Sequence, residues 1–436
     1  MRVLALDVGT SSVKAALLDA ASGDPIGGIA RVEYTLDRPT PEAAEIAPDR
    51  LWSAVAAAGR QAARATPEAV EAIGLSSLTP ALVLLDSNDR PAAPIWTHLD
   101  RRSRPAARQI WATVGEEFLA TTGNRPLPGG ISAVSWRQQL NDDPYLARRV
   151  RRYLHANSWL VLRMTGETAF DPANASFSGL FATMGDRAWS PRWCEYFEVD
   201  PAWLPSVLSG DATVGTLRSA VAAELGVPPG IPVKIGTADT SSAMLAAGMG
   251  PDDLLHVVGT TQVLAIFASH PRPDPKRLTR LFGIGDAMVY VTHNPVGGAA
   301  IGWMKALCFS EQSDKEFYEQ TVPKAEQRDT RVLLDPPYLG GDRLEIEAHR
   351  AAFRHLTLSD TRLDLLSAVL QAMRRCHVEA LDALDVGGRF QRVFLTGGAA
   401  EIVHKLIPEY AGKSVHMLQE GSLRGVAKLF DRSQCS

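Results

Sequence analysis

Arg2-Val-Leu-Ala-Leu-Asp7 is followed by Val8-Gly-Thr-Ser-Ser12 and then by Val13-Lys-Ala-Ala-Leu-Leu-Asp19. Two short apolar runs around a glycine-led polar tip predict a buried β-hairpin. Without a Cβ at Gly9, backbone N–H groups can approach an anionic oxygen, and Thr10, Ser11 and Ser12 add hydroxyl donors. An ordinary polar hairpin is the competing reading of this segment alone. The same shape returns 250 residues on, where Leu254-Leu-His-Val-Val258, Gly259-Thr-Thr261 and Val263 to Phe267 repeat strand, turn and strand. That separation is a domain length, not a solenoid period. It predicts two related halves that meet over one phosphate chain, divided near Gly248. Further strands are expected at Val70–Leu75, Ala81–Asp86 and Pro232–Ala238, with helices between them, so the fold class is α/β. No GxxxxGK[ST] and no GxGxxG opening a helix occur, which excludes a Walker loop and a dinucleotide fingerprint.

Length and composition agree. A chain of 436 residues exceeds the roughly 250–300 residues at which one core stops growing. A formal charge of −4 argues against a nucleic-acid coat or a basic membrane surface. The one dense basic cluster, Arg148, Arg149, Arg151 and Arg152, is expected on a solvated helix face. No apolar run approaches the roughly 20 residues of a membrane helix. Asp7 and Lys14 interrupt the first apolar stretch, so no targeting segment is expected. Cys194, Cys308, Cys376 and Cys435 form no CxxC or zinc spacing and read as reduced thiols of a cytoplasmic protein.

Two further segments carry chemistry. Gly236-Thr-Ala-Asp239-Thr240 sits where a strand gives way to a helix. There a carboxylate can cap the helix or act as a general base for a hydroxyl nucleophile. Val393-Phe-Leu-Thr-Gly-Gly-Ala-Ala400 ends a strand in two glycines, on which a flat adenine–ribose could lie. Asp49 is expected to cap a helix that buries Leu51, Trp52, Val55 and Ala58. The segment from about Arg101 to Leu208 reads as a helical, Trp- and Arg-rich insert, packed by Trp189, Trp193 and Trp203. Trp303 and Met304 are expected in the second core, and Arg343 either pins the Gly340-Gly341 loop or stands exposed.

In order along the chain, these motifs are joined by Trp96 with Asp100-Arg-Arg102, Arg163-Met-Thr-Gly-Glu167, Asp171-Pro-Ala-Asn-Ala-Ser176, Pro337-Tyr-Leu-Gly-Gly-Asp-Arg343 and Gly421-Ser-Leu-Arg-Gly425. The series resembles the FGGY family of carbohydrate kinases. The resemblance implies an α/β, two-domain, actin-like (ribonuclease H-like) ATPase fold with a cleft. Residues 1–248 would form the sugar-binding and catalytic domain, and residues 249–436 the nucleotide-binding domain. It implies ATP and Mg²⁺, with ATP contacts at Gly9, Thr10, Ser11, Ser12, Gly259, Thr260, Thr261, Gly397, Gly398 and Ala399. Asp7 and Asp239 would stand at the metal, and Asp239 would be the catalytic base.

The departures from the family pattern fall on the sugar side. Thr79-Pro80 stand where xylulokinases carry Met-His. Thr97, His98 and Leu99 lengthen the gap between Trp96 and Asp100. Thr240 follows Asp239 in place of Asn or Gln. The expected substrate contacts are therefore Thr79, Trp96, His98, Asp100, Arg101, Asp239 and Thr240, with a surface-loop role for His98 equally open. The expected reaction is phosphorylation of a sugar or polyol, first a ketose such as xylulose. Gluconate, sedoheptulose or another polyol is the alternative. A non-catalytic actin-like nucleotide-binding regulator is the reading of a different class. The expected partner is the small substrate, with no nucleic acid and no membrane, and a homodimer is compatible with this reading.

Overall fold

The computed structural model describes residues 1–65, 69–385 and 389–431. Cys435 lies outside these residues. Two large sheets of like topology organise the chain. The first runs in the order Ala30–Glu33, Ser12–Asp19, Arg2–Val8, Ala72–Ser77, Pro232–Lys234 and Thr213–Thr216, with Thr237–Ala238 also pairing with Ala72–Ser77. The second runs Leu278–Leu281, Met288–Asn294, Gln262–Phe267, Asp253–Val258, Arg392–Thr396 and Ser414–Met417. In each, a hairpin and a third strand pair antiparallel. The first strand of the hairpin then pairs in parallel with a later strand: Val3 with Ala72 in one sheet, Asp253 with Arg392 in the other.

Burial of both faces explains why Val3 to Leu6 of strand Arg2–Val8 are all apolar. Leu4, Leu6 and Val8 join the core formed with Leu51, Val55 and Ala58 of helix Pro48–Arg64. Val3 and Ala5 face the other way, onto Leu423, Val426, Leu429 and Phe430 at the end of the chain. The helix Gly421–Lys428 thus packs on the first sheet although its sequence position follows the second. It crosses helix Asp239–Ala246 closely. A Cβ on Gly425 would lie 1.8 Å from the carbonyl oxygen of Ser242.

Several local expectations are corrected. Ala47, not Asp49, precedes helix Pro48–Arg64; Pro48 opens it, and Asp49 lies in its first turn, where a carboxylate favours the helix dipole. The Arg148–Arg152 cluster is solvated but spans the short helix Leu146–Arg149 and the start of strand Arg152–His155. That strand interrupts the helical insert and completes a four-stranded sheet with Glu45–Ile46, Ile95–Thr97 and Ala81–Leu85. Met304 is buried as expected, but Trp303 is 42% exposed, because neighbouring positions on helix Gly298–Cys308 point about 100° apart. Trp193 is fully buried, edge-on to Phe118, and Trp189 stands edge-on to Phe170 and Phe181. Among the described residues, no helix is long and apolar enough to cross a membrane.

Candidate active site

The two hairpin tips line one cavity of about 700 Å³. Gly9 N–H donates to the Ser12 carbonyl at 3.0 Å in the first tip, and Gly259 N–H donates to the Thr261 carbonyl at 2.9 Å in the second. Thr10 and Ser11 of the first and Gly259, Thr260 and Thr261 of the second reach the wall. Gly9 and Ser12 form the base of their turn and do not. Gly397, Gly398 and Ala399 also lie outside the wall, beside the second tip. A Cβ on Gly397 would strike the Val258 carbonyl at 2.2 Å, while one on Gly398 would meet nothing within 4 Å.

Asp239 is placed by a break in its strand. Gly236 has φ +73°, and a Cβ there would lie 1.8 Å from the Leu75 carbonyl oxygen, so only glycine lets the chain turn this close. Thr237–Ala238 resumes pairing beside Ser76 and Ser77, and helix Asp239–Ala246 starts at once. Asp239 is therefore the first residue of that helix and not its cap, which is Ala238. Its Oδ1 accepts from the Thr240 N–H at 2.6 Å. It is the sole carboxylate among the residues that line the cavity. Its side chain is exposed to the cleft, yet protein walls the cleft on both sides. This desolvation raises its pKa above the usual carboxylate value, against the pull of the Thr240 N–H, Arg280 and Arg343.

Asp7 stands behind the first tip, opposite Lys14 in the hairpin register. Its Oδ2 accepts from the Ser422 hydroxyl at 2.7 Å, and its Oδ1 is buried without a hydrogen-bond partner. Burial, with repulsion from Asp239, raises its pKa to about 6.

Thr79, His98, Thr240, Arg280, His293 and Arg343 also reach the wall. Thr79 donates to Asn174 Oδ1. Asn174 Nδ2 donates in turn to Asp171 Oδ2 at 2.6 Å, and Asp171 Oδ1 accepts from the Thr237 hydroxyl at 3.0 Å. The Asp171–Ser176 segment is thus a buried brace that joins Thr79 to the strand ahead of Asp239. Arg280 is fully buried and fixed on Ser241 (2.6 Å) and Thr240 (2.8 Å).

Three expected substrate contacts do not reach the wall. Trp96 is buried under the Arg102 guanidinium, 3.8 Å from its ring centre. Asp100 is fully buried, accepting from Ala44 N–H at 2.9 Å and from Arg102. Arg101 donates to the carbonyls of His98 and Pro128, each at 2.8 Å. These residues shape the loop that carries His98, and the imidazole lines the cleft instead of lying on the surface. Arg343 is likewise neither a loop pin nor a surface residue. Sequence reasoning missed His293 and Arg280 altogether, and met Asn174 only as part of the Asp171–Ser176 motif, with no role assigned. His293 and Arg280 sit on the strands Met288–Asn294 and Leu278–Leu281, which carry no motif, and only the alternation of Met288–Asn294 assigns His293 to the cleft face.

Buried neutral histidines support both sides. His155 Nδ1 donates to Asn174 (3.0 Å), and its Nε2 accepts from Ser132 (2.8 Å). Behind the second tip, His256 bonds Gln262 (2.7 Å) and Tyr410 (2.6 Å), while His377 has no hydrogen-bond partner at either nitrogen. Burial lowers their pKa values from 6.5 to about 4, 3 and 4 respectively. The unfolded chain therefore binds more protons below pH 6.5. The stability contribution of each neutral imidazole is complete above that pH and declines toward the folded value. By pH 5 the loss is about 2 kcal/mol per histidine. Denaturant midpoints measured from pH 7 to pH 5 should fall steeply; a flat profile would contradict this.

Comparison with known proteins accords with this geometry. Residues 2–246 match the N-terminal domain of the FGGY family of carbohydrate kinases. The chain is 29% identical over 278 residues to a xylulose kinase of Streptomyces coelicolor, an alignment that covers 63% of this chain and 56% of that protein. It is 24% identical over 420 residues to a gluconokinase of Bacillus subtilis, covering 91% and 80%. The chain spans about half the length of several curated relatives it matches. A crystal structure of xylulose kinase from Rhodospirillum rubrum superposes with a TM-score of 0.85 over 98% of this chain and 89% of that one, at 24% identity. The two like halves, the paired glycine hairpins and a match over more than half of the chain converge: the protein belongs to the FGGY family of carbohydrate kinases.

Proposed function

We propose that this protein transfers the γ-phosphoryl group of ATP to a hydroxyl of a small sugar or polyol. One observation carries the reading: a single carboxylate, Asp239, on a cavity wall otherwise rich in hydroxyls and framed by two glycine-led hairpins. Backbone N–H groups and hydroxyls at Thr10, Ser11, Thr260 and Thr261 would hold the phosphates. Gly397, Gly398 and Ala399 would carry the adenosine beside the second tip. The sugar oxygen attacks the γ-phosphorus, the bond to the bridging oxygen breaks, and its electron pair leaves with ADP. The hydroxyl proton passes to the Asp239 carboxylate. A raised pKa makes Asp239 a better base, and late proton loss in a loose transition state keeps the demand on it small.

Mg²⁺ fits the carboxylates. Asp7 has a buried oxygen with no partner and is repelled by Asp239, and a hydrated divalent cation beside the phosphates would answer both. When bound, it would neutralise phosphate charge. The ion would be held mainly through Asp7, with Asp239 near it. We place the division between halves near Gly248, where the family match also ends, with the helix Gly421–Lys428 returning to the first half.

Ketoses such as xylulose and aldonates such as gluconate both offer a hydroxyl to Asp239. The test is ADP release across a panel of ketoses, aldonates and polyols with ATP and Mg²⁺. At least one member should stimulate release, and EDTA should abolish it. ATP binding with no stimulation by any member would favour a non-catalytic nucleotide-binding protein.

A further inference from the structure

Three arginines reach the cavity wall. Both terminal nitrogens of Arg280 are engaged, by Ser241, Thr240 and the Leu281 carbonyl, and Arg38 donates to the Ala43 carbonyl. Arg343 makes no hydrogen bond or ion pair with any described residue, although it is only partly exposed. The chain on either side of it is fixed. Gly340 lies directly on the second hairpin: its N–H donates to the Pro295 carbonyl at 2.8 Å, and a Cβ there would meet Thr261 Cγ2 at 2.6 Å and the Thr260 carbonyl at 3.2 Å. Asp342 accepts from Arg104 at 2.8 and 2.9 Å and from the His349 N–H at 2.9 Å. The guanidinium is thus carried by a loop anchored on the phosphate hairpin, and the carboxylate whose field it feels is Asp239. His98 and His293 beside it are kept neutral by burial and by the Arg343 and Arg101 charges, so among the described residues Arg343 is the only unpaired cation at that corner.

A planar guanidinium with five donors and no acceptor, set between a phosphate cradle and a base, matches the oxygens of a phosphoryl group in transit. Were it only a counter-ion for Asp239, a direct bond would be expected, and none is formed. We propose that Arg343 donates hydrogen bonds to the γ-phosphoryl oxygens during transfer and is a catalytic residue of the reaction. This rests on the kinase reading above. As the phosphorus leaves the bridging oxygen for the sugar oxygen, charge gathers on its equatorial oxygens, where fixed donors act most strongly.

The test compares wild type, Arg343→Gln and Arg343→Lys by calorimetry with ADP and with β,γ-methylene-ATP, Mg²⁺ present and sugar absent. In Arg343→Gln the affinity for ADP should stay within about 2-fold, while that for the triphosphate analogue should fall about 10-fold. With the best panel substrate, kcat should drop about 10²–10³-fold with the sugar KM nearly unchanged, and Arg343→Lys should recover part of it. Unchanged affinity for both nucleotides in Arg343→Gln would overturn the proposal. A rise in KM confined to aldonates would instead assign Arg343 to a substrate carboxylate. Failure of the kinase reading is seen separately, as wild type that binds both nucleotides but turns over no panel member. Arg343→Lys carries the comparison if the glutamine variant does not fold.

Discussion

Asp239→Asn should lower single-turnover phosphorylation about 10³-fold, the usual scale for loss of a positioned base, and leave ADP affinity within a few-fold. The substitution keeps shape and keeps an oxygen to accept the Thr240 N–H, now at 2.6 Å. The helix start and the Gly236 turn behind it are therefore retained. What is lost is the acceptor for the hydroxyl proton and the one negative charge on the cavity wall. Arg280 and Arg343 then face an uncharged amide, which does not repel nucleotide phosphates and so should not weaken ADP. Asp239→Glu should be nearly as slow, because an added methylene moves the carboxylate by more than a base in hydrogen-bond contact can tolerate. An Asp239→Asn rate above a tenth of wild type would remove this residue from the role of base.

Gly425→Val should cost about 3 kcal/mol or more of stability and reduce turnover at least about 10-fold, a larger structural effect than any surface change. The Cβ of residue 425 would lie 1.8 Å from the Ser242 oxygen and 2.4 Å from its carbon. These are backbone atoms inside a helix, so no side-chain rotation relieves the clash, and the two helices must separate. One of them begins with Asp239. The other presents Ser422 to Asp7 and, at its entry, Glu420 to Lys14. A single methine in the wrong place would therefore disturb Asp239 and Asp7, the carboxylates proposed as base and metal holder, together. Gly425→Ala should show a smaller loss in the same direction. Urea midpoints and kcat measured on both variants decide the matter; wild-type midpoints would mean that the helices cross with room to spare.

Much of this was legible in the chain itself. Both hairpins fall where Val8–Ser12 and Gly259–Thr261 predict them, because glycine tips between apolar runs are set by local chemistry. Asp239 was legible as a strand-to-helix carboxylate. Trp96, Asp100 and Arg101 misled, since a motif marks residues that matter without saying whether they touch ligand or hold the loop that does. Asp100 serves Ala44 and Arg102, 56 residues away and two residues away. Arg343 and His293 were opaque for the opposite reason: their setting comes from strands and loops of both halves, and no local spacing encodes it. The packing of Leu423 and Val426 on Val3 and Ala5 is equally non-local.

The loop that bears Arg343 is sequenced with the second half yet gripped by the first. Arg104 holds Asp342 and the Ile346 carbonyl, Arg125 holds the Leu344 carbonyl, and Arg108 pairs with Glu347 at 3.0 Å. Mechanically it would act as a strap buckled across the cleft. A strap would slow departure more than arrival: small reactants could enter around it, but the halves could not part until several arginines let go together. The residence time of ADP and phosphorylated product, and with it the pace of repeated cycles at saturation, would then be set by unbuckling, in which dissolved salt would ease the exposed Arg108–Glu347 pair but hardly the buried Arg104–Asp342 pair.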